Sequence, residues 1–466
     1  MHNDTLKLTA PAVIYHERRA RLAASLTRPL VILAGRARIR NAGNALHFRA
    51  GSTYLYYGGP PIEGAAWIIE PDSKGDEGCT LLRPDVGPDE AVWTGVTSVD
   101  SVLAEATGIP SNNVTGCDAL ESLLNGRSGG YVCPSCCESL AWMTKAGLEP
   151  ASADERSAII QMRNIKDQHA LAAMRRAAEA AVQAHLAAMK ATTPGRNERD
   201  VAAALSASFV AADCHPSFEP IVTVRGDILH APGYHRELAA GQLLLVDAGA
   251  EERGGYASDI TRTYPVNGEF TAVQRHLYDT VLRALTEATA ACIPGARYRD
   301  VHDLAARVIC EGLVAAELLV GDAAELAGRG AHTLFFTHGI GHLIGLDVHD
   351  MEDFGDLAGY PPDRTRRPEF GNKFLRLDRD LEPGMTVTVE PGIYLSRAVW
   401  ERDDLTAPFA DVVNRSAVDA LIADEFGGIR IEDTIHVLGS NVSGPEILTR
   451  DLPKDADSVA SLVASG

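Results

Sequence analysis

The chain has 466 residues, of which 45% are hydrophobic and 23% charged, a composition typical of a globular protein with two or three domains. Its 43 Lys and Arg residues against 63 Asp and Glu residues give a formal net charge of −20, which argues against nucleic acid or an anionic membrane as a partner. No apolar run approaches the roughly 18 residues of a membrane span, and no secretory signal is visible, so we expect a cytoplasmic protein.

Residues 1–157 alternate short apolar runs with turns, as α/β domains do. Residues 12–26 are predicted to be helical, and residues 29–34, 65–69 and 80–82 to be buried strands. The aromatic-rich residues 48–57 are expected to form a core strand and a turn. Cys133-Pro-Ser-Cys136-Cys137 contains a CxxC motif without a second one nearby, so we interpret it as structural rather than as a metal or redox site.

From residue 158 the sequence predicts a second domain. Good helix formers fill residues 169–190, 198–212, 271–293 and 300–319. A Pro-Gly pair separates the members of each helix pair, Pro194-Gly195 in the first and Pro294-Gly295 in the second. The same order of elements occurs twice, which indicates an internal repeat.

Residues 243–263 are predicted to form a β-hairpin that carries Asp247 on one strand and Asp259 on the other. An aspartate at a strand end is often ordinary turn chemistry. A buried carboxylate, however, is tolerated only beside a cation, several N–H donors or a metal. The pair therefore raises the hypothesis of a shared cation.

The repeat supplies two further acids. Residues 241–249 (GQLLLVDAG) align with residues 384–392 (GMTVTVEPG), so that Asp247 matches Glu390, and Asp259 in turn matches Glu432. This pattern predicts two α-α-β-β halves about a pseudo-two-fold axis. Four carboxylates would converge there, and two divalent cations are the simplest way to offset their repulsion.

Histidines lie near these acids in the sequence. His338, His342 and His349 fall within residues 337–350, and His230 ends an apolar run before the first acid. A lone histidine is more often a core residue, but three beside four matched acids favour a site. An oxygen-rich set with one imidazole suits Mn²⁺ or Co²⁺ better than a structural zinc, and two such ions would support metal-assisted hydrolysis.

These motifs resemble those of the pita-bread metallopeptidases, the family of aminopeptidase P, prolidase and methionine aminopeptidase. The matching segments read VDAG, SDITRTYPVNGEF, HGIGHLIGLDVHD, TVEPGIY and FGGIRIEDT. Residues 48–58 and 84–95 are similar to the N-terminal domain of the proline-specific branch. The resemblance implies an aminopeptidase-P-like α/β domain over residues 1–157 and an α+β pita-bread catalytic domain over residues 158–466.

The resemblance also implies a dinuclear metal site for Mn²⁺, with Co²⁺ or Zn²⁺ as alternatives. The expected ligands are Asp247, Asp259, His342, Glu390 and Glu432. Asp259 and Glu432 would bridge both ions, and Glu390 would also act as the general base.

Other residues are implied to act on the substrate. His230, His338 and His349 would contact it and stabilise charge on the scissile carbonyl oxygen. Arg430 would hold neighbouring carboxylates or a substrate group. Arg376 resembles the prolidase arginine that takes the carboxylate of a dipeptide, a suitable partner for a guanidinium. A surface ion pair is the alternative for Arg376.

The expected reaction is hydrolysis of the Xaa-Pro bond. Two features favour a dipeptidase (prolidase): the long insertion between Glu390 and Glu432, and the sequence FGGIRIED that ends it. The alternative is an Xaa-Pro aminopeptidase that acts on longer peptides. The non-enzymatic alternative is an inactive interaction module. Ala231 and the loop over residues 351–372 depart from the family pattern where selectivity would be set. The expected substrates are Xaa-Pro dipeptides or short proline-containing peptides. Because members of the family usually associate, a homodimer or other homo-oligomer is also expected.

Overall fold

The computed structural model describes residues 8–466 apart from residues 43, 74, 88, 90, 91, 93–99, 135, 136 and 443. Glu90 and Trp93 of the N-terminal resemblance, and Cys136 of the CxxC motif, therefore lie outside the described residues. The chain divides into two compact units, residues 1–163 and 164–466. The boundary predicted at residues 157/158 falls inside the helix Ala153–Asn164.

The first unit is built round a six-stranded mixed sheet. The strands of the whole unit are β1 Leu30–Leu33, β2 Ile39–Asn41, β3 Asn44–Ala45, β4 Ala66–Ile69, β5 Cys79–Arg83, β6 Val114–Gly116, β7 Gly130–Val132 and β8 Glu149–Pro150. Its helices are α1 Ala12–Ala23, α2 Ser52–Tyr56, α3 Asp100–Thr107, α4 Leu120–Leu124, α5 Cys137–Lys145 and α6 Ala153–Asn164, with 3-10 turns at Gly75–Gly78, Ser111–Asn113 and Cys117–Ala119. The sheet order is β6-β5-β4-β1-β7-β8, and β2 and β3 form a separate ribbon.

The core of this unit follows from its apolar strands. Leu30–Leu33 and Ala66–Ile69 are buried along their whole length, as near-continuous apolar strands in a covered sheet should be. The strands predicted from residues 29–34, 65–69 and 80–82 are present. The strand predicted within residues 48–57 is wrong, because Ser52–Tyr56 forms a short helix whose Tyr54 and Tyr56 are buried.

The second unit has two small antiparallel sheets and two two-stranded ribbons among its described residues. Its strands are β9 His215–Pro216, β10 Ile221–Thr223, β11 Leu243–Asp247, β12 Ala250–Glu251, β13 Thr261–Pro265, β14 Thr386–Val389, β15 Gly392–Tyr394, β16 Gly428–Arg430, β17 Asp433–His436 and β18 Glu446–Ile447. The sheets have the orders β10-β11-β13 and β14-β17-β18, and the ribbons are β9-β12 and β15-β16.

The helices of this unit comprise one long pair before the main strands of each half and several shorter helices. They are α7 Gln168–Ala191, α8 Glu198–Ala211, α9 Ala272–Ala291, α10 Tyr298–Ala315, α11 Ala323–Arg329, α12 Asp356–Gly359, α13 Arg397–Trp400, α14 Asp403–Thr406, α15 Arg415–Ala423 and α16 Ala456–Ala464, with 3-10 turns at Ala331–Leu334, Glu352–Phe354, Asn372–Phe374 and Ala407–Phe409. Side-chain caps start three of the four long helices, because Asp167, Asn197 and Thr271 each accept a backbone N–H of the first turn.

The predicted fold class is confirmed, and the repeat is visible in matching hydrogen bonds. The turn between α7 and α8 has Gly195 at φ 85°, and the turn between α9 and α10 has Gly295 at φ 84°. Gly195 N–H donates to the carbonyl of Leu238, and Gly295 N–H donates to the carbonyl of Leu381, each at 2.8 Å. The two halves therefore repeat the same α-α-β-β connection.

The predicted hairpin differs in one respect. Asp247 ends β11, as expected, but Asp259 lies two residues before β13, outside any strand. The intervening segment forms β12, which pairs with β9 instead. Within the described residues, no helix is long and apolar enough to cross a membrane.

Candidate active site

One cavity in the second unit has all ten candidate residues in its walls. Its volume is about 920 Å³. The candidates that line it are Asp247, Asp259, His342, Glu390, Glu432, His230, His338, His349, Arg376 and Arg430. Residues up to 202 positions apart in sequence are thus brought together where strands of the two halves end.

The acid-bearing segments of the first half approach each other closely. Asp247 ends β11, and Gly249 follows in the loop. A Cβ atom on Gly249 would lie 1.8 Å from the carbonyl oxygen of Ser258, the residue before Asp259. Only glycine permits this approach, which explains the glycine of the VDAG segment.

Three of the four acids leave a buried oxygen without a hydrogen bond in the described part of the chain. These atoms are Asp247 Oδ1, Asp259 Oδ1 and Glu432 Oε1. Buried carboxylate oxygens are costly unless donors or cations satisfy them. The arrangement therefore fits a bound cation.

The pKa values of these acids show the same cost of burying carboxylates together. Burial, with the adjacent charge of Asp247, raises the pKa of Asp259 well above its usual value. Burial, with Asp259, does the same to the pKa of Glu432, and burial raises the pKa of Glu390 to about 7. Carboxylates packed this closely keep their protons unless positive charge is supplied.

His342 presents a free lone pair to these acids. Its Nδ1–H donates to the carbonyl of Leu343 at 3.0 Å, which leaves Nε2 as an acceptor. That Nε2 lies 3.5 Å from Asp259 Oδ2 and 3.8 Å from Glu390 Oε1. Acceptors that face one another are stabilised by a proton or a cation between them, and Asp259, His342 and Glu432 have ligand atoms all within 4.8 Å of one another, close enough to hold one metal ion.

Two threonines connect the halves at the site. Thr261 Oγ1 donates to Glu432 Oε2 at 2.7 Å, and the Glu432 N–H donates to the Thr261 carbonyl at 3.0 Å. In the other half, Thr434 Oγ1 donates to the Asp259 carbonyl at 2.9 Å. Each threonine follows its own acid by two residues and contacts the acid of the opposite half.

Arg430 is buried and its hydrogen bonds are made within the site. Nη2 donates to Asp247 Oδ2 at 2.5 Å, Nε donates to Thr261 Oγ1 at 3.1 Å, and Nη1 donates to the Tyr394 hydroxyl at 3.1 Å. The guanidinium therefore holds a neighbouring carboxylate, the first of the two roles considered for it.

His338 continues this network. Its Nδ1–H donates to the Gly339 carbonyl at 2.7 Å, so Nε2 accepts from the Tyr394 hydroxyl at 2.8 Å. Burial lowers the pKa of His338 to about 3, so the ring is neutral. Both ring nitrogens are engaged, and the ring reaches a substrate only by giving up one of these bonds.

His230 and His349 are more open. His230 is exposed and, within the described residues, makes no hydrogen bond. The His349 ring packs edge-on against that of His342 with centroids 4.3 Å apart, and its Nδ1 lies 3.4 Å from Glu352 Oε2. Partial desolvation within the cavity lowers the pKa of both His230 and His349.

Arg376 is paired. Its Nη1 donates to both carboxylate oxygens of Glu352, at 2.9 and 2.8 Å. The ion pair considered as the alternative for Arg376 thus exists, but in the wall of the cavity.

Behind the site lies a buried ion pair. Arg262 Nη2 donates to Asp433 Oδ1 at 2.9 Å, and Arg262 Nη1 donates to the carbonyl of Glu432 at 2.6 Å. Both side chains of the pair have 0% exposure. The backbone that carries Glu432 is therefore held from the side opposite the cavity.

Several residues of the site were not predicted from the sequence: Thr261, Thr434, Tyr394, Glu352 and Arg262. For two of them a signal existed. A threonine follows the acid by two positions in both Ser258-Asp-Ile-Thr261 and Ile431-Glu-Asp-Thr434, and the repeat alignment could have marked it.

Comparisons with known proteins identify the family of both units. Residues 172–438 match the model of metallopeptidase family M24, and residues 15–129 match that of the aminopeptidase P N-terminal domain. A probable Xaa-Pro aminopeptidase of Uncinocarpus reesii is 33% identical over 456 residues, covering 91% of this chain and 88% of that protein.

Two solved structures are similar over nearly the whole chain. Proline aminopeptidase P II from Yersinia pestis has a TM-score of 0.81 at 28% identity and covers 98% of this chain and 100% of its own. Zinc-substituted Escherichia coli aminopeptidase P in complex with product has a TM-score of 0.81 at 26% identity, with coverages of 98% and 99%.

Proposed function

Since this chain belongs to metallopeptidase family M24, on its proline-specific branch, we propose that it is an Xaa-Pro aminopeptidase. It would remove the N-terminal residue from peptides whose second residue is proline. The observation that carries the proposal is the set of buried carboxylate oxygens without hydrogen bonds in one cavity of the described chain.

The relatives support the aminopeptidase alternative better than the dipeptidase that the long insertion favoured. The U. reesii relative is named a probable Xaa-Pro aminopeptidase, and the two structural neighbours are named aminopeptidases P. Arg376, the residue that pointed to a dipeptidase, is paired with Glu352.

Two divalent ions would be held by the five predicted ligands: Asp247, Asp259, His342, Glu390 and Glu432. Their oxygen-rich set with one imidazole suits Mn²⁺, with Co²⁺ and Zn²⁺ as alternatives. When bound, the ions would supply an activated water and polarise the scissile carbonyl. Arg430 and Thr261 would orient the acids Asp247 and Glu432 through the hydrogen bonds described above.

The remaining residues would handle protons and charge. Glu390 would accept a proton from water on one of its carboxylate oxygens and pass it to the proline nitrogen. His230 and His349 would contact the carbonyl oxygen and stabilise the negative charge that develops there. Such a site needs no N–H from the scissile bond, which proline lacks.

The test is hydrolysis of paired peptides by protein loaded with Mn²⁺. Cleavage of Xaa-Pro-Yaa but not of Xaa-Ala-Yaa is expected, with loss of activity on chelation and in Asp259→Asn. Asp279→Asn, which removes an exposed acid on α9 paired with Arg275, is the matched control and should retain activity. Loaded protein that leaves every Xaa-Pro peptide intact would refute the proposal. A homo-oligomer and the cytoplasm stay predictions.

A further inference from the structure

The pairing of Arg376 with Glu352 bears on which substrate C-terminus the cavity accepts. Arg376 lines the cavity, within electrostatic range of His230 and His338. An arginine there would attract the terminal carboxylate of a bound dipeptide. Glu352 supplies a competing carboxylate, and both side chains of the pair are 40% exposed.

The position of Glu352 is built into the loop. It starts the 3-10 turn Glu352–Phe354, directly after Met351, whose φ is 65°. A residue with a side chain rarely adopts this left-handed backbone, so the surrounding structure must hold it. Met351 is fully buried, and this anchored turn keeps Glu352 between Arg376 and His349.

The pair leaves part of the guanidinium available. Both bonds to Glu352 come from one nitrogen, Nη1, and in the described part of the chain Nε and Nη2 of Arg376 make no hydrogen bond. These N–H groups can donate to a neutral carbonyl oxygen. A full carboxylate at the same place would face the negative charge of Glu352.

We propose that Glu352 is a specificity-determining residue that neutralises Arg376, and thereby disfavours peptides ending at the proline carboxylate and favours those that continue beyond proline. The inference rests on the proposed Xaa-Pro peptidase activity. It assigns the choice between dipeptide and longer peptide to one carboxylate outside the metal ligands.

The test compares Ala-Pro, its C-terminal amide Ala-Pro-NH₂ and Ala-Pro-Ala, so that the first two differ in charge alone. Wild-type protein is expected to favour the amide and the tripeptide. Glu352→Gln should raise kcat/KM for Ala-Pro roughly fivefold, the effect of a half-exposed charge, and leave Ala-Pro-NH₂ and Ala-Pro-Ala, whose proline carbonyl is uncharged, nearly unchanged. Arg376→Gln should shift the ratio the opposite way, because Glu352 is then unopposed.

Asp356→Asn is the matched control, because Asp356 is an acid of the same loop that pairs with Arg366 instead. It should leave the acid-to-amide ratio unchanged, and thermal unfolding should show that all variants are folded. Equal changes on the three substrates, or no change in either variant, would overturn the inference while the peptidase assignment stands. Failure of wild-type protein on all three would overturn both.

Discussion

Thr261 and Thr434 each bind the acid of the opposite half of the second unit: the hydroxyl of Thr261 donates to Glu432 Oε2, and that of Thr434 donates to the Asp259 carbonyl. The site is therefore assembled across the two halves: Thr261 orients the carboxylate of Glu432, and Thr434 holds the backbone of Asp259.

Removal of the Thr261 hydroxyl should weaken metal binding. Thr261→Val keeps the shape of the side chain but leaves Glu432 Oε2 and Arg430 Nε without this partner, at a cost of about 1 to 3 kcal/mol. We expect roughly tenfold or greater weakening of Mn²⁺ affinity, measured by competition with a chelating dye. Thr261→Ser, which keeps the hydroxyl, should bind metal nearly as wild type, and equal affinities of the two variants would contradict the assigned role.

Metal-free protein should lose stability as pH rises. Asp259, Glu390 and Glu432 have folded-state pKa values raised above their ordinary ones, to about 7 for Glu390. Folded protein thus binds more protons than unfolded protein, so the stabilisation is complete below about pH 4.5 and is lost as pH rises through 7.

The measurement is the Tm of chelator-treated protein at several pH values. The Tm of the metal-free protein should decrease as pH rises from about 5 to about 8, because these groups lose their protons. Saturating Mn²⁺ should reverse the decrease, because the ion takes the place of the protons. Glu390→Gln should flatten the metal-free profile. A metal-free Tm that rises over this range, in wild type and in that variant alike, would refute the prediction.

Two neighbouring acids should have separable roles. Asp433→Asn breaks a fully buried pair with Arg262 and should cost about 3 to 5 kcal/mol of unfolding free energy. Glu432→Gln, on the preceding residue, should instead abolish binding of metal while relieving repulsion among the acids. Denaturant unfolding and metal analysis of the two variants test this, and loss of metal with equal destabilisation in both would contradict the separation.

Tyr394 should matter for turnover rather than for folding. Its hydroxyl joins Arg430 to His338, and Tyr394→Phe removes both bonds. We expect kcat/KM on Xaa-Pro-Yaa to fall about tenfold to a hundredfold, since a hydrogen bond to a charged group is worth about 1.5 to 3 kcal/mol. Tyr360→Phe, which removes a hydroxyl bonded only to the backbone carbonyl of Leu375 among the described contacts, is the control.

The main outlines of the second unit could be predicted because they depend on short-range pattern. The spacing of apolar residues and the Pro-Gly breaks are local, and the alignment of Asp247 with Glu390 needs only a repeat in the chain. The loop conformation at Asp259 could not be predicted this way. It depends on β12 pairing with β9, a contact between segments more than thirty residues apart.

Glu352 was missed for a related reason, although Arg376 was predicted. The two residues are 24 positions apart in a segment without regular periodicity, and only the folded loop brings them together. The helix Ser52–Tyr56 was missed because aromatic residues favour strands on average, whereas here burial of Tyr54 and Tyr56 is achieved on a short helix.

The exchange between Thr261 and Thr434 also bears on how such a chain could arise. Each half contributes two acids and one threonine that holds an acid of its counterpart. A polypeptide half the length of the second unit, paired with a second copy of itself through the same contacts, would already gather four carboxylates round one axis. Gene duplication and fusion would then have freed the two copies to diverge, one gaining His342 and the loop that carries Glu352.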